Sequence, residues 1–451
     1  MTSRPDHTAP MRENELAPDE LTDLALKVAS EAQAAGLRPD VPHRDPRLDA
    51  IAMSLPSYGQ FRSALTTVEF FDAFYGAGEA DRLSIGWVFA SAAAGAADAA
   101  WIDFWARLSD AEWTYAAVAN LVGFDTDCQR LPLMDGLEIR TRSFVALSDA
   151  LGWSSDKLHS TLGADFMDSY PGRFVVIYKE AVPKSAERVA TGNTGWEVVA
   201  IRRLLQALRL AAPGDVNVGR IFMGRVRPVI PDLGNRAAGS SVGWLPGPVY
   251  QLHEQDVAAV KETYELVKRF EQHAAKHPQI ATALARFSGA YDRPWGNPMD
   301  RLIDDMIGLE ALVGSDQELA FKVATRVSGL LAGTDADRVD LFQRLKSFYR
   351  TRSQIVHGGD LGVAHHDNLR REPELRDILR RLVAGFLHLS ESTKWRPTHR
   401  FVEEQMDEVL LDAQRRSALR DAMMLQPAAP AAPTETSPSG VAMWAEAQTT
   451  E

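Results

Sequence analysis
One break in pattern constrains this chain more than any other feature of its sequence. Residues 239–248 (GSSVGWLPGP) hold three glycines and two prolines, a combination that neither a helix interior nor a central strand accepts. Beyond it, apolar residues recur at three- and four-residue spacing through 252–274, 299–313, 317–332, 336–357 and 370–393, which predicts an all-helical second half. Before it the pattern is mixed. Residues 21–165 alternate Ala- and Leu-rich helical stretches with turns, the Trp-rich segment 101–115 among them. The run 173–178 (RFVVIY) is β-branched and aromatic and predicts a strand. A further helix is expected over 196–212, with Ile201, Leu204, Leu205 and Leu208 on one side and Pro213-Gly214 as its stop. The expected architecture is an α+β N-terminal region over 21–245, then a helical bundle over 246–415, mainly α overall. Residues 1–20 read as a flexible lead and 416–451 as a disordered Ala/Pro-rich tail.

With 451 residues, of which 45% are apolar and 24% charged, the chain has the make-up of a soluble globular protein. Acidic residues outnumber basic ones by 61 to 49, so the molecule as a whole is no general coat for nucleic acid, and any phosphate-binding face has to be local. Cys128 is the only cysteine, which excludes an intramolecular disulfide and a cysteine-built zinc site. The uncharged Ala- and Ser-rich run 83–97 is too short to span a bilayer, and the polar N-terminus lacks the apolar core of a signal peptide. A cytoplasmic location without membrane contact is expected. No P-loop pattern occurs. His365-His366-Asp367 are adjacent and would point in different directions on a helix, so neither a metal nor another cofactor is expected.

The chemistry is expected between 338 and 371. Seven basic residues (Arg338, Arg344, Lys346, Arg350, Arg352, Arg370, Arg371) face three acidic ones there (Asp340, Asp360, Asp367), reversing the sign of the whole chain. The string YRTRSQIVHGG at 349–359 ends a helix on a histidine followed by two glycines. Glycine is the usual residue just past a helix end, so His357 is expected in the final turn, where the negative end of the helix dipole attracts an imidazolium. A histidine so placed can move a proton while nearby guanidinium groups neutralise phosphate.

A helical projection of 341–357 groups Leu341, Leu345, Phe348, Tyr349, Ile355 and Val356 as an apolar sector, with Lys346, Arg350, Ser353 and His357 opposite. Arg352 falls in the apolar sector, where a guanidinium needs a carboxylate. On the helix expected over 299–313, Glu310 falls among Leu302, Ile303, Met306, Ile307 and Val313, while Asp304 points away. Glu310 is therefore expected to pair with Arg352 between helices.

These residues carry a resemblance. The runs RLIDDMIGLEALVG (301–314), AFKVATRVSGLLAG (320–333) and FYRTRSQIVHGG (348–359) are similar to the Apea-like subgroup of HEPN domains, and RLLQALRLAAPGDVNVGRIF (203–222) is similar more weakly. The family carries an R-x(4 to 6)-H motif on one helix of a four- or five-helix bundle. Arg352 to His357 matches it with four intervening residues and Arg350 to His357 with six; Ser353 stands where Asn, Asp or His is frequent. The resemblance implies a metal-independent endoribonuclease whose protomers pair so that both motifs line one cleft. Arg352, aided by Arg350, would meet the phosphate and His357 would move the proton, with Ser353 and Glu310 in support and Lys346, Arg344, Arg370 and Arg371 binding RNA. It also implies an RNA substrate such as tRNA or mRNA, a homodimer, and a role in antiphage defence in which the N-terminal region binds a phage-derived trigger. The alternative is a non-catalytic HEPN module of a toxin–antitoxin or nucleotidyltransferase-associated system.

Overall fold
The segment after the Trp-rich helix turns out to be the central strand of a sheet in the computed structural model. The structure describes residues 18–37, 46–94, 96–151, 158, 172–185, 196–226, 236–238, 248–293, 297–314 and 318–425. Most of the expected lead, most of the 239–248 break and the stretch from 426 onward lie outside these residues. The chain divides into two compact units, 1–208 with 214–264 and 209–213 with 265–451. The described residues are 66% helix and 13% strand, with an α/β N-terminal part. Among the described residues no helix is long and apolar enough to cross a membrane.

The first unit opens with helices α1 (Asp19–Ala34), α2 (Pro46–Ser54), α3 (Tyr58–Thr66), α4 (Phe71–Phe74), α5 (Ala80–Ala93) and α6 (Ala97–Ser109). Their core is aromatic. Trp87 and Phe104 are fully buried, and Trp101 meets Trp87 edge-on at 5.0 Å, so the Trp-rich segment serves packing. The indole N–H groups still find acceptors: that of Trp87 donates to the Ala25 carbonyl at 2.9 Å and that of Trp101 to Thr22 at 3.0 Å.

Next come β1 (Glu112–Val122), β2 (Phe124–Asp125), β3 (Arg130–Met134), β4 (Leu137–Thr141), α7 (Phe144–Leu151), β5 (Phe174–Pro183), α8 (Trp196–Ala211), β6 (Asn217–Arg225), β7 (Arg236–Ala238) and β8 (Tyr250–Gln251). Six strands form an antiparallel sheet in the order β3-β4-β5-β1-β6-β7, and β2 pairs with β8 in parallel. Val118 at the middle of β1 faces Ile177 on one side and Phe222 on the other. The expected strand at 173–178 is present and runs on to Pro183. The expectation of helices and turns up to 165 is corrected for 112–141, which holds four strands.

Lys184, just past β5, shows how this unit is tied together. Its side chain is 6% exposed and donates to the carbonyls of Arg107 (2.6 Å) and Leu108 (3.2 Å) in the last turn of α6, with the Tyr75 and Trp113 rings within 5.5 Å. Burial pushes its pKa down to about 7, opposed by Asp110 and assisted by Arg225. Because the folded value lies below the ordinary 10.5, the unfolded chain binds more protons between those two values and stability rises with pH there. The urea midpoint read by tryptophan fluorescence should climb from about pH 7 to 10.5 in the wild type and stay flat in Lys184→Met. A wild-type midpoint that stays flat over this window would mean that the two carbonyls and the ring faces keep the ammonium charged.

The remaining helices are α9 (Val257–Glu271), α10 (Pro278–Asp292), α11 (Pro298–Val313), α12 (Leu319–Leu331), α13 (Asp335–Val356), α14 (Val363–Arg370), α15 (Glu372–Ser390), α16 (His399–Glu404), α17 (Met406–Leu411) and α18 (Ala413–Ala422). Each of the five expected periodic segments holds a helix; α10, α14 and the short helices after 398 were not anticipated. Within the second unit α11 is central, packed against α10, α12, α13 and α15. Gly308 allows the approach of α15, since a Cβ there would stand 2.7 Å from the Leu379 side chain. The expectation of a tail from 416 is corrected for 416–425, where α18 runs to Ala422 and Leu419 and the capping Met423 are buried.

Candidate functional site
Helix α13 carries the expected site, and its sequence sets both of its ends. At the start, Thr334 accepts from the Asp337 amide and the Asp337 side chain accepts from the Thr334 amide, a reciprocal cap. At the finish, His357 is the C-cap, Gly358 follows with φ +68°, and the amides of Gly358 and Gly359 return to the carbonyls of Ile355 (3.1 Å) and Gln354 (3.0 Å). This closure needs the left-handed backbone that glycine adopts at little cost. Gln354 also donates to the Asp360 carbonyl at 3.3 Å. The helix therefore stops at His357 as expected, and the imidazole is exposed.

The apolar sector is narrower than projected. Leu341, Leu345 and Phe348 are buried, but Val356 is 52% exposed, and the fourth fully buried position is Thr351. Thr351 meets α14 through a polar cluster. Asn368 donates to its hydroxyl oxygen and to that of Ser347, both at 2.8 Å, and His365 Nδ1 lies 2.9 Å from the same Thr351 oxygen. His365, part of the triplet set aside as a metal site, thus braces α14 against α13. Among the described residues no group of three or more His, Cys, Asp or Glu is placed to hold a metal ion.

Arg352 and Glu310 come together across α13 and α11, with Nη2 3.6 Å from Oε2 and both side chains mostly buried. The pair is an ion pair rather than a hydrogen bond at that distance. Arg352 Nε and Glu310 Oε1 have no hydrogen-bond partner. Burial lifts the Glu310 carboxyl above its ordinary range despite the opposing pull of Arg352.

Arg350, by contrast, is exposed. At about 100° per residue, Arg350 and His357 lie only about 20° apart around the helix, whereas Arg352 and His357 are about 140° apart. One face thus gathers Lys346, Arg350, Ser353 and His357, and Arg352 is turned toward α11.

The basic excess of 338–371 is largely cancelled in space. Arg338 pairs with Asp335, Arg344 with Asp340 (3.0 Å) and Glu374, Arg370 with Asp367 (3.1 Å) and Arg371 with Glu374 (2.8 Å). Asp335, Glu374 and Glu310 all lie outside the counted window, which is why the count overstated the local field. Among the described residues Lys346 and Arg350 are the basic side chains of this face left without an acidic partner, Lys346 lying over the Phe342 ring at 5.4 Å. A second correction concerns Asp304, which is 2% exposed rather than turned outward.

Comparison with models of protein families, with curated proteins and with solved structures returns no match.

Proposed function
We propose that the second unit is a HEPN-type, metal-independent endoribonuclease acting as a homodimer in antiphage defence, with His357 as its proton-transfer group and Arg350 as its phosphate contact. The observation that carries this reading is the joint exposure of Arg350 and His357 on one face of α13 beside a glycine-closed helix end. In the reaction the ribose 2′-oxygen bonds to phosphorus as the bond to the 5′-oxygen breaks. One imidazole accepts the 2′-hydroxyl proton and another protonates the departing oxygen, leaving a 2′,3′-cyclic phosphate. A guanidinium holds the extra negative charge of the phosphorane-like transition state. Two copies of the chain supply the two imidazoles. The first unit is the sensor in this scheme, binding a phage-derived trigger.

The test is to incubate the full chain with total RNA in EDTA and to analyse the new ends. Fragments ending in cyclic phosphate, absent with His357→Ala, are expected; cleavage that needs a divalent metal, or that is equal in both proteins, overturns the assignment. The carboxylate pairing of Arg338, Arg344, Arg370 and Arg371 favours a second reading, a non-catalytic HEPN module that pairs with another protein of a toxin–antitoxin or nucleotidyltransferase-associated system. It predicts a folded dimer and no cleavage of any RNA.

A further inference from the structure
Asp304 sits where a carboxylate persists only if cations compensate it. Two arginines do so. Arg286 of α10 donates from Nη1 to Oδ1 at 2.9 Å, and Arg293, one residue past α10, donates from Nε to Oδ2 at 2.7 Å. The hydrogen bond and charge of Asp304 lift the Arg293 pKa above its ordinary value, so this guanidinium stays charged.

Neutralising one carboxylate takes one guanidinium, and here there are two. Each has five N–H groups, of which one is directed at Asp304. Both side chains are also about two-fifths exposed, at 44% and 40%. Both arginines line a cleft of about 550 Å³ together with Thr282, Ala285 and Gly289 of α10. Nothing lies within 4 Å of where a Gly289 Cβ would stand, so the cleft is open there. The one other acid at the rim, Asp292, lies 3.7 Å from the Arg209 guanidinium, which compensates it.

We propose that this cleft is an anion site for a phosphate-bearing ligand, gripped by the Arg286 and Arg293 forks with the Asp304 carboxylate as their brace. Planar guanidinium groups match phosphate oxygens two at a time, and the volume suits a group the size of a nucleotide. Holding both forks in place before binding removes much of the ordering cost that a flexible arginine incurs. The phosphate has two sources, a free nucleotide or pyrophosphate, or the backbone of an RNA. The site is built on α10 and α11 and uses no residue of α13, so the proposal stands or falls independently of the ribonuclease reading.

The full chain would be titrated calorimetrically with pyrophosphate, with AMP and with a short 5′-hydroxyl RNA, using wild type, Arg286→Gln, and the triple variant Arg286→Gln/Asp304→Asn/Arg293→Gln. The triple variant removes the buried charge together with both of its partners and so keeps the fold where a single arginine change could lose it. Binding by wild type that weakens at least tenfold in the triple variant, with an unchanged far-UV spectrum, is the expected result. A response in the pyrophosphate and AMP arms assigns a free phosphoester, and a response confined to RNA assigns the chain backbone. Equal affinity in the triple variant, or no binding of any probe by wild type, overturns the proposal.

Discussion

On the proposed ribonuclease reading, replacing His357 or Arg350 by alanine should lower RNA cleavage by about 10²- to 10³-fold, whereas Arg352→Ala should act first on stability. The division follows from where the two arginines point. Arg350 is exposed on the His357 side of α13, and removing it touches no acidic partner among the described residues. Arg352 faces Glu310 at 3.6 Å, and its loss leaves a mostly buried carboxylate with neither a counter-charge nor a hydrogen bond at Oε1. Glu310 is already held above its ordinary pKa by burial, and Arg352 is the one influence pulling it down. Without Arg352 the folded pKa rises further, so the carboxyl's stabilising contribution is present at low pH and is lost as pH rises through that folded value. The thermal midpoint of Arg352→Ala should therefore fall below wild type at pH 7 and approach it near pH 4. Initial rates on a defined RNA, measured beside melting curves for all three variants, check the division. An Arg352→Ala protein as stable as wild type but inactive would return the phosphate contact to position 352, the assignment that the R-x4-H spacing implies.

Much of this geometry was legible in the residues, and what was not has identifiable causes. The stop of α13 at His357 could be read because glycine at a helix end has a specific backbone reason. The Glu310–Arg352 pair could be read because each residue sat alone on an apolar face. Strand β1 escaped because Tyr115–Val122 is buried along its whole length, which erases the two-residue alternation, and because its run of alanines favours helix. The β3–β4 hairpin did carry a signal, Asp135-Gly136 between two short apolar runs, with Gly136 at φ +72°. Asp304 and the paired arginines are a different kind of miss. Their partners, Arg286, Arg293, Glu374 and Asp335, lie on other helices or other turns, and no count within one window contains them. The buried Thr351 offered a fainter clue, since Ser347 and Thr351, four apart, mark a small polar notch on a helix face.

A buried cluster at the junction of α11 and α15 supplies the largest stability effect. Glu372, the first residue of α15, is fully buried, with Arg301 Nε 3.0 Å from Oε2 and Arg376 Nε 3.5 Å from Oε1. Arg301→Ala removes the closer guanidinium and leaves Glu372 undercompensated, at a cost of about 3 to 5 kcal/mol. Beside this pair lies Asp305, fully buried, whose pKa burial and the Glu372 charge hold well above the usual carboxylate range. The opposite sign is expected there. Folding at neutral pH makes Asp305 take up a proton that the unfolded chain has released, so stability falls as pH rises from the ordinary carboxylate value toward the raised one. Asparagine has the shape of the protonated acid and does not titrate, so Asp305→Asn should raise the urea midpoint at pH 7 and flatten its decline above about pH 4. Far-UV circular dichroism of the helical transition reads both variants. If Asp305→Asn instead destabilised the protein, Asp305 would have to be ionised and shared between Arg301 and Arg376, and the cluster would be a charge-balanced quartet rather than one carboxylate, one neutral acid and two arginines.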